Sequence, residues 1–444
     1  MLACGLVLKA PGLMVRRLRL WPVKGARWLL LWGAAAPQSL RAYFGLGEGG
    51  VMSLIGQKIT VLGAGVAGLA VARALALRGA QVVVLEQAAA VAEVGAGLQV
   101  SPNGAVVLDA LGLGDALRSV ALRAQAVDLR DGVSGNLVTR LDVARLAPDQ
   151  GYHFVHRADL IEILRQGAVE AGVELRLNAR VLSVSLDGAV PVVGLESGAQ
   201  EAGLLIGADG LHSATRAALN GAEVPFFTHQ VAWRALIAGD GGPDVAEVHM
   251  GAGRHLVSYP LRGGALRNIV AVEERQAWVE ESWALRDDPM DLRMAFESFT
   301  PRVRGWLDQV QDVGLWGLFR HDVARVWQRA LPQGGVAILG DAAHPTLPFL
   351  AQGACMALED AWVLAASLAG SDSMAAGLAA YEAARKPRCA RIVAAANTNA
   401  RLYHLRGLAR PVAHLALNLG GRVAPSAVLG RFDWLYSYDV TKGA

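Results

Sequence analysis

A glycine-rich turn between an apolar strand and an alanine-rich helix restricts the fold of this chain more than any other feature. The turn reads Gly-Ala-Gly-Val-Ala-Gly at residues 63–68 and follows an apolar strand predicted at residues 59–62. In such a turn one glycine permits the tight bend, one lets a pyrophosphate approach the backbone, and one lets helix and strand pack closely. The next predicted strand, at residues 81–85, ends at Glu86, whose carboxylate is placed to accept hydrogen bonds from ribose hydroxyls. The sequence therefore predicts a βαβ unit that binds a dinucleotide.

Two more turns follow short apolar strands downstream. Residues 204–208 lead to Asp209-Gly210, and by itself this turn is more typical of a capped helix start with its own salt bridge than of a ligand site. Residues 335–339 lead to Asp341, and a helix is predicted from about residue 353 to 368. An aspartate at a strand end accepts a hydroxyl hydrogen bond, and a helix N-terminus offers N–H groups to an electron-rich ring edge.

The remaining pattern predicts an antiparallel sheet and a helical end. Antiparallel strands are predicted at residues 173–186 and 190–195, and residues 226–279 are β-rich with aromatic side chains and glycine turns. This β-rich stretch is the candidate substrate lobe. Near the end of the chain, Pro387 is expected to kink or separate two helices.

Composition narrows the class of protein. The chain has 444 residues with 53% hydrophobic and 18% charged, which is typical of a globular enzyme. Its 42 basic and 39 acidic residues leave a net charge of +3, too small to indicate nucleic acid as a partner. The three cysteines have no spacing typical of a metal site or a disulfide framework, so a reducing compartment, the cytoplasm, is expected. No segment is long and apolar enough to predict a transmembrane helix.

The three turns, in this order and spacing, resemble those of the group A flavoprotein monooxygenases, most closely the salicylate and 3-hydroxybenzoate hydroxylase branch. The resemblance covers about residues 55–440 and includes the loop at residues 93–99, the run Val-Ala-Trp-Arg at 231–234, the run at 259–264, and Arg-Phe-Asp-Trp at 431–434. It implies an α/β fold. In this implied fold, a Rossmann-like FAD-binding domain, three-layered with a mostly parallel sheet, is expected to be interleaved with an antiparallel β-sheet substrate domain and followed by a helical C-terminus.

We expect five segments along the chain. Residues 1–51 are interpreted as an extension, either non-native or disordered, with Met52 as the natural start; a targeting segment is the alternative. The other expected segments are the first part of the FAD-binding domain at 53–225, with a small β excursion at about 126–156, the substrate-binding sheet at 226–320, the second part of the FAD-binding domain at 321–400, and a C-terminal helical segment at 401–444.

The resemblance implies one bound FAD, with NADH or NADPH as a transient co-substrate. The glycine turn would lie on the pyrophosphate, Glu86 on the adenosine ribose and Asp341 on the ribityl chain, while the Asp209 turn would serve both FAD and the nicotinamide cofactor. Cys355 stands where many relatives place asparagine beside the isoalloxazine; a cysteine packed at a helix start is the alternative role. The expected cofactor-binding residues are Gly63, Gly65, Val66, Ala67, Gly68, Glu86, Gln87, Gly97, Arg157, Asp209, Asp341, Pro348, Gly353, Ala354 and Cys355.

The catalytic residues expected from the resemblance lie in the β-rich stretch. His229 matches a histidine that engages a phenol in the hydroxybenzoate branch; a strand histidine that bonds only to backbone is the alternative. Trp233 stands where that branch has a second, tyrosine partner, and Tyr259 is a further candidate. Arg262, Arg320 and His321 are additional candidates for anchoring a substrate, and His344 is expected to be structural. No metal is expected.

The implied reaction is hydroxylation of a small phenolic or aromatic-acid substrate. In the family, FAD is reduced by NADH or NADPH, the reduced flavin reacts with O2 to a C4a-hydroperoxide, and one oxygen atom passes to the ring. The alternatives are an FAD-dependent epoxidase or dehydrogenase with a non-aromatic substrate, and a non-catalytic nucleotide-binding escort protein. The protein is expected to be a monomer or a homodimer.

Overall fold

A computed structural model of the chain describes residues 52–91, 97–277, 285–423 and 430–442. The extension expected at residues 1–51 lies outside the described residues, as do residues 93–96 of the loop that resembles the family. The elements given below all belong to the described ranges.

A six-stranded sheet is built on the predicted βαβ unit. Its strands are β1 (Lys58–Leu62), β2 (Gln81–Leu85), β8 (Glu174–Arg176), β12 (Leu204–Gly207), β19 (Gln328–Leu331) and β20 (Gly334–Ile338). Their order is β19-β20-β12-β1-β2-β8, and every neighbouring pair is parallel except β19 with β20. The central strands are apolar along almost their whole length, which is typical of a sheet covered on both faces. Because β20, β12 and β1 are parallel neighbours, their carboxyl ends bring the three predicted turns together.

An eight-stranded sheet forms the second lobe. Its strands are β5 (Ala126–Asp131), β6 (Leu137–Leu141), β13 (Phe226–Ala238), β14 (Val245–Gly251), β15 (Arg254–Leu261), β16 (Leu266–Glu274), β17 (Arg286–Asp287) and β18 (Val313–Arg320). The order is β17-β18-β13-β16-β15-β14-β5-β6, and only the β14-β5 pair is parallel. Part of the excursion expected at 126–156 therefore extends this sheet by two strands.

Two small sheets and a set of helices complete the described residues. The small sheets are β3 (Gly97–Val100) with β7 (His153–His156) and β4 (Leu122–Arg123), and β9 (Val181–Ser185) with β10 (Val192–Leu195) and β11 (Gly198–Glu201). The helices are α1 (Val66–Ala76), α2 (Pro102–Ala110), α3 (Gly114–Val120), α4 (Arg157–Glu170), α5 (Ala214–Asn220), α6 (Pro289–Ala295), α7 (Pro301–Asp308), α8 (Gly353–Ala369), α9 (Met374–Tyr403), α10 (Ala409–Val423) and α11 (Asp433–Tyr436).

The predicted fold class is confirmed, one predicted strand is wrong, and one predicted separation of helices is absent. Residues 173–186 do not form one strand, because β8 joins the parallel sheet and β9 begins a separate antiparallel sheet. Pro387 does not separate two helices, because α9 runs continuously through it. Packing of α9 along α8 and the buried Arg385 beside the proline outweigh the backbone hydrogen bond that proline removes.

Candidate active site

The three glycines of the first turn have three different surroundings. Gly63 has φ +94°, and a Cβ there would lie 2.4 Å from the carbonyl oxygen of Ala208. A Cβ on Gly68 would lie 1.9 Å from the carbonyl oxygen of Gly63, so Gly68 permits α1 to pack on the turn. A Cβ on Gly65 would meet no described atom within 4 Å. Gly65 thus leaves open space at the N-terminus of α1, where unpaired N–H groups and the helix dipole attract a phosphate.

A cavity of about 770 Å³ extends from this turn to the eight-stranded sheet. It passes the carboxyl ends of β12 and β20, the loop at Pro348 and the first turn of α8. Tyr259 borders it from the sheet. The predicted cofactor-binding residues that line the cavity are Gly63, Gly65, Val66, Ala67, Glu86, Gln87, Gly97, Arg157, Asp209, Asp341, Pro348, Gly353 and Ala354.

Two carboxylates of the site are held by hydrogen bonds from residues near them in the fold. Glu86 accepts hydrogen bonds of 2.8 Å from the N–H groups of Ala64 and Ala88, which fixes its carboxylate beside the glycine turn. Asp209 accepts hydrogen bonds from the hydroxyl of Ser213 and from the N–H and hydroxyl of Thr215. Burial raises the pKa of Asp209, although these hydrogen bonds oppose the shift. Asp209 therefore stabilises the start of α5 while its turn borders the cavity.

Two arginines bring positive charge into the cavity. Burial lowers the pKa of Arg157, and the carboxylate of Asp341 partly offsets that effect. Arg234 lies with its guanidinium 4.2 Å from the centroid of the Trp316 ring. Burial and the nearby charge of Arg157 lower the pKa of Arg234 to about 10. A negatively charged ligand between these groups would relieve both effects.

Comparison with known proteins agrees with this geometry. Residues 57–396 match the FAD-binding domain family. The chain belongs to that family. It is 33% identical over 395 residues to a 3-hydroxybenzoate 6-hydroxylase of Polaromonas naphthalenivorans (strain CJ2), covering 86% of this chain and 96% of the relative. It is 30% identical over 421 residues to a salicylate hydroxylase of Pseudomonas putida, covering 87% of this chain and 93% of that relative. The crystal structure of Klebsiella pneumoniae HpxO with FAD and uric acid is similar with a TM-score of 0.73 and 27% identity, covering 83% of this chain and 95% of that one.

These relatives confirm the resemblance to the group A flavoprotein monooxygenases, and with it an FAD-binding enzyme. FAD also fits the residues present, since Gly65 leaves open space at the N-terminus of α1 and the carboxylate of Glu86 is held beside the same turn, where it lines the cavity. In the described part of the chain, no helix combines the length and apolar character needed to cross a bilayer.

Trp233 lies on the face of the eight-stranded sheet that points away from the cavity, so it does not take its predicted role beside the substrate. Cross-strand partners share a face, and the partner of Trp233 is Ala271, whereas Tyr259 pairs with Asn268. The indole of Trp233 is fully buried in the core formed with α6 and α7 and donates a 2.7 Å hydrogen bond to Asp287. The strand alternation instead turns its neighbour, Arg234, toward the cavity.

His229 does not lie in the cavity either. It occupies a β-bulge in β13, where the register with β18 shifts between Phe227 and Gln230, and its φ is +55°. The bulge turns the imidazole outward, where it is exposed and packs against Phe226 and Phe227. The expectation that His229 meets the substrate is thus corrected by the local backbone.

Two predicted cofactor residues, Gly68 and Cys355, do not line the cavity but pack beneath its wall. Cys355 is fully buried, with Sγ 3.3 Å from the hydroxyl oxygen of Ser101 and tightly packed on Gly104. Burial raises the pKa of its thiol to about 11. Cys355 is therefore the packed cysteine of the alternative interpretation. The second residue, Gly68, faces the backbone of its own turn and does not line the cavity.

A buried ion cluster holds the third turn. Asp360 accepts hydrogen bonds from the N–H of Gly340 (3.1 Å), from Nε2 of His344 (2.5 Å) and from Nε of Arg385 (2.7 Å). Burial opposes ionisation of Asp360, but His344 and Arg385 outweigh it and lower its pKa. Cys389 lies near enough to complete a three-ligand set, yet the Arg385 guanidinium already contacts both its sulfur and the carboxylate. The cluster is therefore an ion network that includes the structural histidine.

Sequence reasoning missed several residues of the cavity wall. Arg234 is a charged residue inside a mostly apolar strand, and this unusual placement could have indicated that it faces a ligand cavity. His255 and Val257 precede Tyr259 at intervals of two, so a strand containing Tyr259 places them on the same face. Trp316 also lines the cavity. Two additional candidates lie elsewhere: Arg262 pairs with Asp159, and Arg320 stacks on Phe226.

Proposed function

We propose that the protein is an FAD-dependent monooxygenase that uses NADH or NADPH and O2 to hydroxylate a small phenolic or carboxylated aromatic substrate. The observation that supports this most strongly is the cationic and aromatic end of the cavity, where Arg234 lies against Trp316 and near Tyr259. An aromatic ring packs on such side chains, and a carboxylate or phenolate is attracted by a buried guanidinium. The names of the relatives, hydroxylases of hydroxybenzoate and salicylate, describe compounds of this kind.

FAD would occupy the end of the cavity at the glycine turn. The N-terminus of α1 and Gly65 would hold the pyrophosphate, Glu86 a ribose, and Asp341 the ribityl chain. The first turn of α8, at Gly353 and Ala354, would offer backbone N–H groups to the isoalloxazine. When bound, FAD would supply the oxygen-transfer chemistry, with NADH or NADPH as the reductant and O2 as the source of oxygen.

The residues of the chain bind the substrate and exclude water. Arg234 would pair with the anionic group of the substrate, because its own charge is destabilised by burial and by Arg157. Burial raises the pKa of Tyr259, so its hydroxyl stays neutral and is able to donate a hydrogen bond. Apolar side chains such as Val257 and Val270 line the same wall and keep water from the reacting ring.

A substrate panel tests this proposal. Purified protein is supplied with NADH or NADPH and with salicylate, 3-hydroxybenzoate, an uncharged phenol or a non-aromatic alkene, with and without O2. We expect a yellow protein that forms a hydroxylated aromatic product only with O2, and more product than hydrogen peroxide. Reduction of the flavin by the substrate itself, without NADH, NADPH or O2, would indicate a dehydrogenase. Oxygenated product from the alkene and from no aromatic compound would indicate an epoxidase, and a colourless protein would support the escort alternative.

A further inference from the structure

A histidine borders the substrate end of the cavity at a position without an assigned role. His255 lies on β15, is 2% exposed, and packs against the rings of Phe349 and Tyr403. It shares the cavity-facing side of the sheet with Tyr259. Its cross-strand partner Val272 pairs in turn with Ala232, two residues before Arg234. The imidazole thus borders the same end of the cavity as the proposed substrate anchor.

His255 is the first member of a hydrogen-bonded series that reaches the protein surface. Its Nδ1 lies 2.7 Å from Nε2 of His404, which follows α9 and is 4% exposed. Nδ1 of His404 lies 3.1 Å from Oε1 of Glu274 at the end of β16. The Glu274 side chain is 35% exposed and pairs with Arg406. Three titratable side chains therefore connect the cavity wall with solvent.

We propose that His255, His404 and Glu274 form a proton relay that carries the phenolic proton of the substrate from the cavity to solvent. This inference rests on the proposed function, because it requires a phenolic substrate. A relay answers a physical need of that reaction: a ring activated as its phenolate loses a proton in a cavity from which water is excluded.

The hydrogen bonds define the direction of each transfer. Glu274 is the acceptor at the surface, so the Nδ1–H of His404 donates to it, and Nε2 of His404 accepts from the Nδ1–H of His255. This leaves Nε2 of His255 to accept the substrate proton. As that N–H bond forms, the Nδ1 proton of His255 passes to His404, the Nδ1 proton of His404 passes to Glu274, and the Glu274 carboxyl releases a proton to water. Reprotonation of the product oxygen runs the same transfers backward and restores both tautomers.

The charges around the relay favour this resting arrangement. Burial and the neighbouring His404 hold the pKa of His255 well below its ordinary value, so its imidazole is neutral at rest, and a proton gained at Nε2 is matched by loss of the Nδ1 proton to His404. Burial also lowers the pKa of His404; Glu274 opposes this shift, and Arg406 and Arg254 add to it. Burial opposes ionisation of Glu274, but Arg406 and His404 lower its pKa, so it rests as the carboxylate. The other titratable neighbour, Tyr403, has its pKa raised by burial to about 12 and stays neutral.

Proton release on ligand binding tests the relay without requiring turnover. The FAD-loaded protein is mixed in a stopped-flow instrument with 3-hydroxybenzoate in weakly buffered solution containing phenol red. The flavin absorbance change reports binding, and the dye reports the released proton. The variants are E274Q, in which a partly exposed carboxylate becomes an amide of the same shape, and H404Q. The matched control is H249Q, since His249 also forms a 3.1 Å pair with a glutamate on this sheet but does not line the cavity.

We expect E274Q and H404Q to slow proton release at least about 100-fold, the lower end of the range for general acid–base steps. The flavin absorbance change should keep its amplitude in both variants, and H249Q should match the wild type. Unchanged proton release in E274Q and H404Q would overturn the relay alone, as would binding to the wild type without proton release. If neither 3-hydroxybenzoate nor salicylate changes the flavin spectrum of the wild type, the proposed function fails, and the relay fails with it.

Discussion

Replacing Gly65 with alanine tests whether the glycine turn serves a ligand or only the fold. A Cβ at Gly65 meets no described atom within 4 Å, and the backbone there has φ −77°, which alanine adopts without strain. We therefore expect the free energy of unfolding of flavin-free G65A to lie within about 0.5 kcal/mol of the wild-type value, as for a substitution that makes no contacts. The added methyl group lies where a pyrophosphate would approach, so the FAD dissociation constant should rise at least about tenfold, or about 1.4 kcal/mol.

Gly68 supplies the matched contrast three residues later. A Cβ there lies 1.9 Å from the carbonyl oxygen of Gly63, so α1 must move by more than about 1 Å to reach van der Waals separation. We expect G68A to destabilise the apo-protein by about 1–3 kcal/mol, the usual cost of overpacking. Urea denaturation of flavin-free protein measures stability, and quenching of FAD fluorescence measures binding. The reasoning is refuted if G65A loses as much stability as G68A, or if G65A binds FAD like the wild type.

Four further predictions concern the sheet and the buried ion cluster. W233A should lose about 3–5 kcal/mol of stability in urea, as for a truncated core aromatic, with an unchanged substrate KM; a raised KM at wild-type stability would contradict its core position. R234Q should raise KM at least about tenfold for a carboxylated aromatic but less for an uncharged phenol; equal effects would remove Arg234 from the anion site. H229A should keep hydroxylation within about twofold, and a larger loss would restore its predicted role. The pKa of His344 is raised well above its ordinary value, because Cys389 and Asp360 outweigh the opposing effect of burial. The protonated imidazole therefore stabilises the folded protein fully below about pH 6.5, and this contribution is lost as the pH rises toward the pKa of the folded state. The urea midpoint should fall over that range in the wild type and not in H344Q.

The parallel sheet was predictable because its determinants are local. Each of its three turns follows a short apolar strand and carries its own glycine or aspartate, so the turns at residues 63–68, Asp209 and Asp341 were located one by one, although only the family resemblance assigned Asp209 to the cofactor site. The parallel order of β20, β12 and β1 then brings those strand ends together. That most of these residues line the cavity follows from local sequence and one topological rule.

The substrate wall was harder to predict because it depends on register. A shift of one residue exchanges the two faces of a strand, and the bulge in β13 makes such a shift just before Val231. The resemblance therefore pointed to β13 and named Trp233, whereas Arg234 is the neighbouring residue that lines the cavity. The connection between His255 and His404 joins residues far apart in the sequence, and no local pattern indicates it.

Oxygen-isotope labelling of the product tests the central claim most directly. The FAD-loaded protein is incubated under ¹⁸O2 with NADH or NADPH and the aromatic acid that the panel identifies, and the product is analysed by mass spectrometry. A flavoprotein monooxygenase that holds an aromatic ring at the Arg234 end of the cavity predicts one ¹⁸O atom in the new hydroxyl group. A product without label, or hydrogen peroxide as the only oxygen-derived product with every aromatic acid tested, would contradict this account.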